Sequence, residues 1–126
     1  MFRRAAILAL FVGACAAPQV APGMAAPQAP VHLQGSGIMN TAPFRLLGGD
    51  YTVAWTATDT GSITVGCYHG ASLHQTSGRG GSELLVNELL DGGQTKGGTT
   101  HVYNVAAGSY YIDASSGCAW EFDITR

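Results

Sequence analysis

Alternation of apolar and polar side chains with a period of two is the feature of this sequence that most constrains its fold. Tyr51 to Ala57 and Cys118 to Ile124 each carry an apolar side chain at every second position. A strand with one face on a core and one face in water produces this period, whereas a helix repeats every three to four residues. Turn residues separate the runs. The pattern predicts an all-β fold, a small antiparallel β-sandwich.

Two further stretches are predicted to be strands. Ile63, Val65 and Cys67 alternate with polar or small residues, so their side chains are expected to face the core. Residues 84–90 have enough leucine for a short helix, but glycine-rich turns flank them on both sides. We therefore favour a strand over a helix for this segment.

Two cysteines, Cys67 and Cys118, fall on the inward side of their predicted strands. Two inward cysteines on neighbouring or facing strands can meet the geometry of a disulfide, so a buried bond between them is predicted. Closing a loop of this length stabilises a domain by roughly 4 kcal/mol. The competing interpretation is a metal site formed by Cys67, His69 and His74, which would leave Cys118 as a free thiol.

An internal repeat adds detail to the predicted architecture. Phe44-x-Leu46-x-x-Gly49-x-Tyr51-x-Val53 recurs as Tyr103-x-Val105-x-x-Gly108-x-Tyr110-x-Ile112. Each copy has the pattern of strand, tight turn and strand, with Gly49 or Gly108 supplying a positive φ and the following Tyr directed at the core. The repeat predicts two hairpins, one in each half of a sandwich.

This motif, followed by Gly108-x-Tyr110-Tyr111-Ile112 and then Trp120-x-Phe122-x-Ile124, resembles the small β-sandwiches appended to bacterial secreted and surface proteins. These include pre-peptidase C-terminal domains and modules of carbohydrate-binding type. The resemblance covers about residues 35–126 and implies a jelly-roll-like sandwich. An immunoglobulin fold is disfavoured because Trp55 precedes both inner cysteines and position 116 is Ser.

The N-terminal residues resemble a bacterial lipoprotein signal. Arg3 and Arg4 precede an apolar stretch that ends in Val12-Gly13-Ala14-Cys15, which matches a lipobox. The resemblance implies that residues 1–14 are a signal peptide and that Cys15 becomes the lipidated first residue of an exported protein in the cell membrane or outer membrane. An ordinary secretory signal with an incidental Cys is the alternative.

Four of the five prolines lie in residues 16–30, a segment without any charged side chain. Together with Cys15 this segment is predicted to be an extended tether, because proline fixes φ and removes a donor. The remaining residues, 31–126, suffice for one small domain and not for two. The sequence does not decide whether residues 31–42 add a strand or lengthen the tether.

The charge of the exported protein argues against a polyanionic partner. Without Arg3 and Arg4, four basic residues face eight acidic ones, a net charge of −4 with neutral histidines. Nucleic acids and anionic lipids require clustered Lys and Arg. No nucleic-acid partner is therefore expected.

No enzymatic activity and no cofactor are predicted, because the histidines lie in no recognisable catalytic motif. A small hydrolase remains an alternative, with Ser72 as nucleophile and His69, His74 or His101 as the base. Calcium ligation by Asp50, Asp59, Asp91 or Asp113 is disfavoured, since no D-x-D-x-D run collects these carboxylates.

Binding is the predicted role. The alternation places five side chains on outward faces, where tyrosine rings bordered by carboxylates suit a sugar: Tyr68, Tyr111, Asp113, Glu121 and Asp123. The sequence thus predicts a non-enzymatic, lipid-anchored module of the cell envelope that binds a polysaccharide or a protein. A structural lipoprotein without a small ligand is the main alternative.

Overall fold

The computed structural model describes residues 28–61 and 65–126. The predictions for the signal peptide, for Cys15, for the tether as far as residue 27 and for Ile63 lie outside these residues. The described part contains no helix long and apolar enough to cross a membrane.

Within the described residues, nine strands form two antiparallel sheets. Their bounds are β1 Val31–Ser36, β2 Met39–Asn40, β3 Phe44–Leu46, β4 Gly49–Thr58, β5 Tyr68–Gln75, β6 Glu83–Leu89, β7 Thr95–Val105, β8 Gly108–Ala114 and β9 Ala119–Thr125. The four-stranded sheet has the order β1-β9-β4-β7, and the five-stranded sheet has the order β2-β8-β5-β6, with β3 also paired to β8. The predicted β-sandwich is confirmed, β6 is the strand expected at residues 84–90, and residues 31–40 contribute two strands.

Strand pairing is nested. The first strand pairs with the last, β2 and β3 pair with β8, β4 pairs with β7, and β5 pairs with β6. A long hairpin whose two arms wrap together around a core produces this order, which is the jelly-roll arrangement.

The inward faces of both sheets bury one apolar core. Tyr51, Val53, Trp55 and Ala57 of β4 are all buried, as the alternation predicts. Cross-strand contacts explain two glycines. A methyl group built on Gly98 of β7 would lie 2.7 Å from the Trp55 ring, and one built on Gly35 of β1 would lie 2.6 Å from the Trp120 ring. Each indole therefore covers a glycine of the adjacent edge strand, where a larger residue would displace it.

The predicted strand around residues 63–67 is wrong in its described part. The strand begins only at Tyr68, and Val65 is 73 % exposed instead of facing the core. Gly66 passes so close to the backbone of Leu90 that a methyl group there would overlap the Leu90 carbonyl. This close approach and the disulfide at Cys67 hold the chain in an irregular path, so the alternation in this segment does not reflect pleating.

The internal repeat is confirmed as a structural repeat, but the two hairpins are not formed. In each copy the short linker carries the chain from one sheet to the other: β3 and β8 belong to the five-stranded sheet, β4 and β7 to the four-stranded sheet. The copies pair with each other instead, Leu46 opposite Gly108 and Gly49 opposite Val105. At such a corner the two flanking strands lie in different sheets, and each turns its apolar face towards the core between the sheets. In a hairpin both strands would lie in the same sheet.

Matching tyrosines brace the two corners. The Tyr51 hydroxyl donates to the Leu47 carbonyl at 2.6 Å, and the Tyr110 hydroxyl donates to the Ala106 carbonyl at 2.6 Å. Hydroxyl-to-backbone bonds of this kind define a tyrosine corner. Gly49 has the expected positive φ, 141°, whereas in the second copy the positive φ belongs to Asn104, at 54°.

The predicted disulfide is confirmed. Cys67 and Cys118 are both buried and bonded, with a Cα–Cα distance of 5.4 Å. Each lies one residue before its strand, Cys67 before β5 and Cys118 before β9, so the bond joins the two sheets.

The sandwich has two distinct ends. One end holds both tyrosine corners and the entry of the chain, where the Gln28 side chain accepts from the Leu47 N–H at 2.8 Å and donates to the Arg45 carbonyl at 3.2 Å. The strand directions place the disulfide and Tyr68 at the other end.

Candidate functional site

The predicted binding residues are all on outward faces, but they belong to two sheets. Tyr68 lies on β5 and Tyr111 and Asp113 on β8, in the five-stranded sheet, whereas Glu121 and Asp123 lie on β9 in the four-stranded sheet. The two groups therefore face opposite sides of the sandwich. The structure does not bring the five side chains together into one surface.

Tyr68 lies on the outer surface of the five-stranded sheet, against Gly70. A methyl group built on Gly70 would be 2.6 Å from the Tyr68 hydroxyl oxygen and 2.7 Å from a ring carbon, so the hydroxyl end of the ring packs directly on the Gly70 backbone. The side chain keeps 43 % of its surface exposed. Tyr68 is thus held against the sheet and still presents aromatic surface to solvent.

A second aromatic group lies further along β5. His74 is directly opposite Tyr111 of β8, and their rings stack at a centroid distance of 5.3 Å and an interplanar angle of 10°. The His74 Nε2 atom is 3.9 Å from an Asp113 carboxylate oxygen. Ser72, between Tyr68 and His74 on the same face, is paired with Asp113. We call this surface, from Tyr68 through Ser72 to His74, Tyr111 and Asp113, the outer β5 face.

Strand β6 borders the outer β5 face with apolar and amide side chains. Leu89 is opposite Tyr68 and 71 % exposed, and Leu84 is opposite Ser72 and 61 % exposed. Between them, the register places Asn87 opposite Gly70, beside the Tyr68 ring. The solvent side of this strand is therefore more apolar than the outward face of an ordinary edge strand.

The other two predicted carboxylates, Asp123 and Glu121, lie on β9 in different surroundings. Asp123 accepts a hydrogen bond from His32 Nδ1 at 2.6 Å, across the β1–β9 pair. This bond raises the pKa of His32 above 6.5. Glu121 borders a shallow depression of about 400 Å³ whose lining includes Thr56 and Thr58 of β4.

The histidines considered as catalytic or metal-binding groups are far apart in the fold. His69 is completely buried between the Trp55 and Phe122 rings, and His101 lies on β7 of the four-stranded sheet, opposite Thr52. The competing metal site of Cys67, His69 and His74 is not formed, because Cys67 is bonded to Cys118 and His69 and His74 face opposite sides of β5. Ser72 shares its face with His74 alone among these histidines.

Two of the four carboxylates considered for calcium, Asp59 and Asp50, accept hydrogen bonds from the backbone. Asp59 accepts hydrogen bonds from the backbone N–H groups of Gly61 and Gly93, at 3.1 and 3.0 Å, and so ties two loops together. Asp50 accepts from the N–H of Asn104 at 2.9 Å. Within residues 28–61 and 65–126, no three His, Cys, Asp or Glu side chains are grouped closely enough to hold a metal ion.

A cavity of about 530 Å³ lies between the edge strands β6 and β7. Trp55 forms part of its lining, together with Gly97 and Gly98. Lys96 partly closes it: its Nζ atom donates to the Leu89 carbonyl at 3.1 Å and lies 3.6 Å from Glu88. A lysine placed on an edge in this way protects the strand from pairing with another chain.

Sequence reasoning missed three features of the outer β5 face. The parity of β5 indicates that His74 shares a face with Tyr68, but the stacking on Tyr111 depends on the β5–β8 register. Gly70 is recognisable in sequence as a residue two positions after an outward Tyr, the position that such a ring can cover. The exposed leucines of β6 carry no comparable signal, since alternation alone does not tell which face is solvated.

No protein-family model matches this chain, and no curated protein matches it by sequence.

Proposed function

We propose that this protein is a non-enzymatic binding module of the cell envelope and that its outer β5 face binds a polysaccharide. The main supporting observation is Tyr68, whose ring packs against Gly70 while 43 % of the residue stays exposed to solvent. A sugar ring presents an apolar face that can stack on such a surface, while its hydroxyls hydrogen-bond at the edge. Tyr68 offers both contacts, through its ring and its hydroxyl group.

Polar groups further along the face complement this ring. Asp113 and Ser72 are adjacent and accept hydrogen bonds from hydroxyl groups, and the stacked pair of His74 and Tyr111 adds a second aromatic element. Ser72 is four positions after Tyr68 in an extended strand, a distance of about 13 Å. This spacing favours a polymer over a single sugar.

Export from the cytoplasm is supported by the disulfide, which persists in oxidising compartments. Lipidation of Cys15 would hold the domain at a membrane through the tether. The chain enters the domain at the end that carries Gln28, whereas Tyr68 is at the opposite end. An anchored domain of this shape is able to present Tyr68 away from the membrane.

The binding site is tested by calorimetric titration of the purified full chain with soluble neutral polysaccharides, which measures the affinity. Tyr68→Ala removes the stacking surface, so we expect the affinity to fall by about tenfold or more. Gly70→Ala should have a similar effect, because the added methyl group would push the Tyr68 ring away from the backbone of residue 70.

Tyr103→Ala is the matched control, since Tyr103 is a 65 % exposed tyrosine on β7 of the other sheet. Glu121→Gln with Asp123→Asn tests the opposite face in the same assay. Equal losses for Tyr68→Ala and Tyr103→Ala would remove the outer β5 face from consideration. Binding to no polysaccharide would favour a structural lipoprotein or a protein partner.

The anchor is tested separately by Cys15→Ser. We expect this variant to be released from the membrane fraction into the soluble fraction, because a lipid on Cys15 is the proposed attachment. A variant that remains with the membranes would show that Cys15 is not the anchor.

A further inference from the structure

We infer that the polysaccharide bound by the outer β5 face is a neutral chain of N-acetylated amino sugars, with the acetamido groups directed at β6. This inference rests on the proposed function and names its ligand class. It starts from the border of the face, where Leu84, Asn87 and Leu89 accompany Tyr68.

The exposed leucines argue for a ligand that carries methyl groups. Leu89 is directly opposite Tyr68 and 71 % exposed, so a sugar stacked on that ring lies beside an apolar side chain. A hydroxyl group pressed against a leucine loses its water without gaining a partner, which is unfavourable. The methyl of an acetyl group gains from the same contact.

Asn87 supplies the complementary polar contact. The register places it opposite Gly70, the residue on which the Tyr68 ring rests, and it is exposed. A carboxamide donates and accepts at once, as does the acetamido group of the sugar. An amide side chain flanked by two leucines thus matches one acetamido group in shape and in hydrogen bonding.

The charges on the face favour a neutral chain. Asp113 carries the negative charge closest to the middle of the face, and His74 Nε2 lies 3.9 Å from its carboxylate. Arg45 is on β3 beyond β8, opposite Ser109, at the other end of the face from Tyr68. Near Tyr68, Lys96 donates to the Leu89 carbonyl at 3.1 Å, but its charge is already paired with Glu88 at 3.6 Å. A polyanion would meet the Asp113 carboxylate without an unpaired cation to offset it on this face, so acidic sugars are disfavoured.

The test compares two ligands that differ in the acetamido group alone: β-1,4-linked oligomers of N-acetylglucosamine and of glucose, of equal length, titrated into the purified full chain. We expect the N-acetylated oligomer to bind about tenfold more tightly. Asn87→Ala and Leu89→Ser should reduce this ratio towards one, whereas Tyr68→Ala should weaken both ligands alike.

Equal affinity for the two oligomers would overturn the inference and leave the proposed function standing, since a glucan would still be bound. A ratio unchanged in Asn87→Ala and Leu89→Ser would overturn it as well, because the preference would then arise elsewhere. If neither oligomer binds and other polysaccharides also fail, the proposed function itself is overturned. Tyr103→Ala serves as the control for folding and general surface effects.

Discussion

At the scale of single residues, the buried His69 is the most unusual side chain in the core. Its Nδ1 atom is 2.9 Å from the Ser116 hydroxyl oxygen, which also accepts from the Cys118 N–H at 3.1 Å. Its Nε2 atom is buried without a hydrogen-bond partner in the described part of the chain. Burial lowers the pKa of His69 below 6.5, since a charged imidazole would lie between two aromatic rings without water.

Acid should therefore weaken the fold through His69. Because its pKa is lower in the folded state than in the unfolded state, its contribution is constant above about pH 6.5 and is lost as the pH falls below that value. One such proton changes the free energy of unfolding by at most about 1.4 kcal/mol per pH unit. Urea unfolding between pH 7.5 and pH 5 should show a smaller loss for His69→Phe than for the unaltered protein.

His32→Gln is the informative control for that experiment. The hydrogen bond to Asp123 raises the pKa of His32, so this pair stabilises the fold at low pH and loses its effect as the pH rises through the pKa of the folded state. His32→Gln should therefore lose at least as much free energy of unfolding between pH 7.5 and pH 5 as the unaltered protein does. If His69→Phe and the unaltered protein lose stability in parallel, the burial of His69 does not control acid sensitivity.

At the scale of strands, alternation predicted the elements better than their partners. Where one face is buried, side chains must alternate, so β4 and β9 were recognisable from sequence. The flanking glycine-rich turns, and not alternation, indicated β6. The paths of the linkers after β3 and β7 could not be predicted from sequence. A short turn next to a glycine has the same residues whether it closes a hairpin or passes between two sheets. For the same reason parity predicted that Tyr68, Tyr111 and Glu121 are outward but not which of them are neighbours.

The two corners predict matched energetic effects. Tyr51→Phe and Tyr110→Phe each remove one hydroxyl-to-carbonyl bond, at Leu47 or Ala106, and should lower the free energy of unfolding by about 1 kcal/mol. Thermal unfolding gives the shift in Tm. Tyr103→Phe, on an exposed tyrosine of β7, should leave Tm unchanged. Three equal melting temperatures would show that the corner hydroxyls are as well satisfied by water as by the carbonyls.

At the scale of the whole molecule, a single covalent link joins sheets that are otherwise held by the core. The disulfide closes a segment with a sequence separation of 51 and lies at the end of the sandwich away from the corners. Small domains bury limited apolar surface, so such a link is a large part of their stability. It also holds the start of β5, and with it Tyr68, against the other sheet.

Loss of this link should be costly. Cys67→Ser with Cys118→Ser is expected to lower the free energy of unfolding by about 2–5 kcal/mol, measured by urea unfolding. A reducing agent should have the same effect on the unaltered protein and none on the double variant. Equal unfolding midpoints with and without reductant would mean that the native packing holds the two sheets without the bond.

The nested pairing of strands bears on how fast the domain folds, and so on the export proposed above. Strand β1 pairs with β9, and the partner of Cys67 is just before that same last strand. The first strand therefore finds its neighbour only when almost all of the domain has been synthesised, and pairings so distant in sequence form slowly. A polypeptide that must pass through a narrow translocation channel benefits from this delay, because its N-terminal part stays unfolded and threadable until the far side of the membrane is reached.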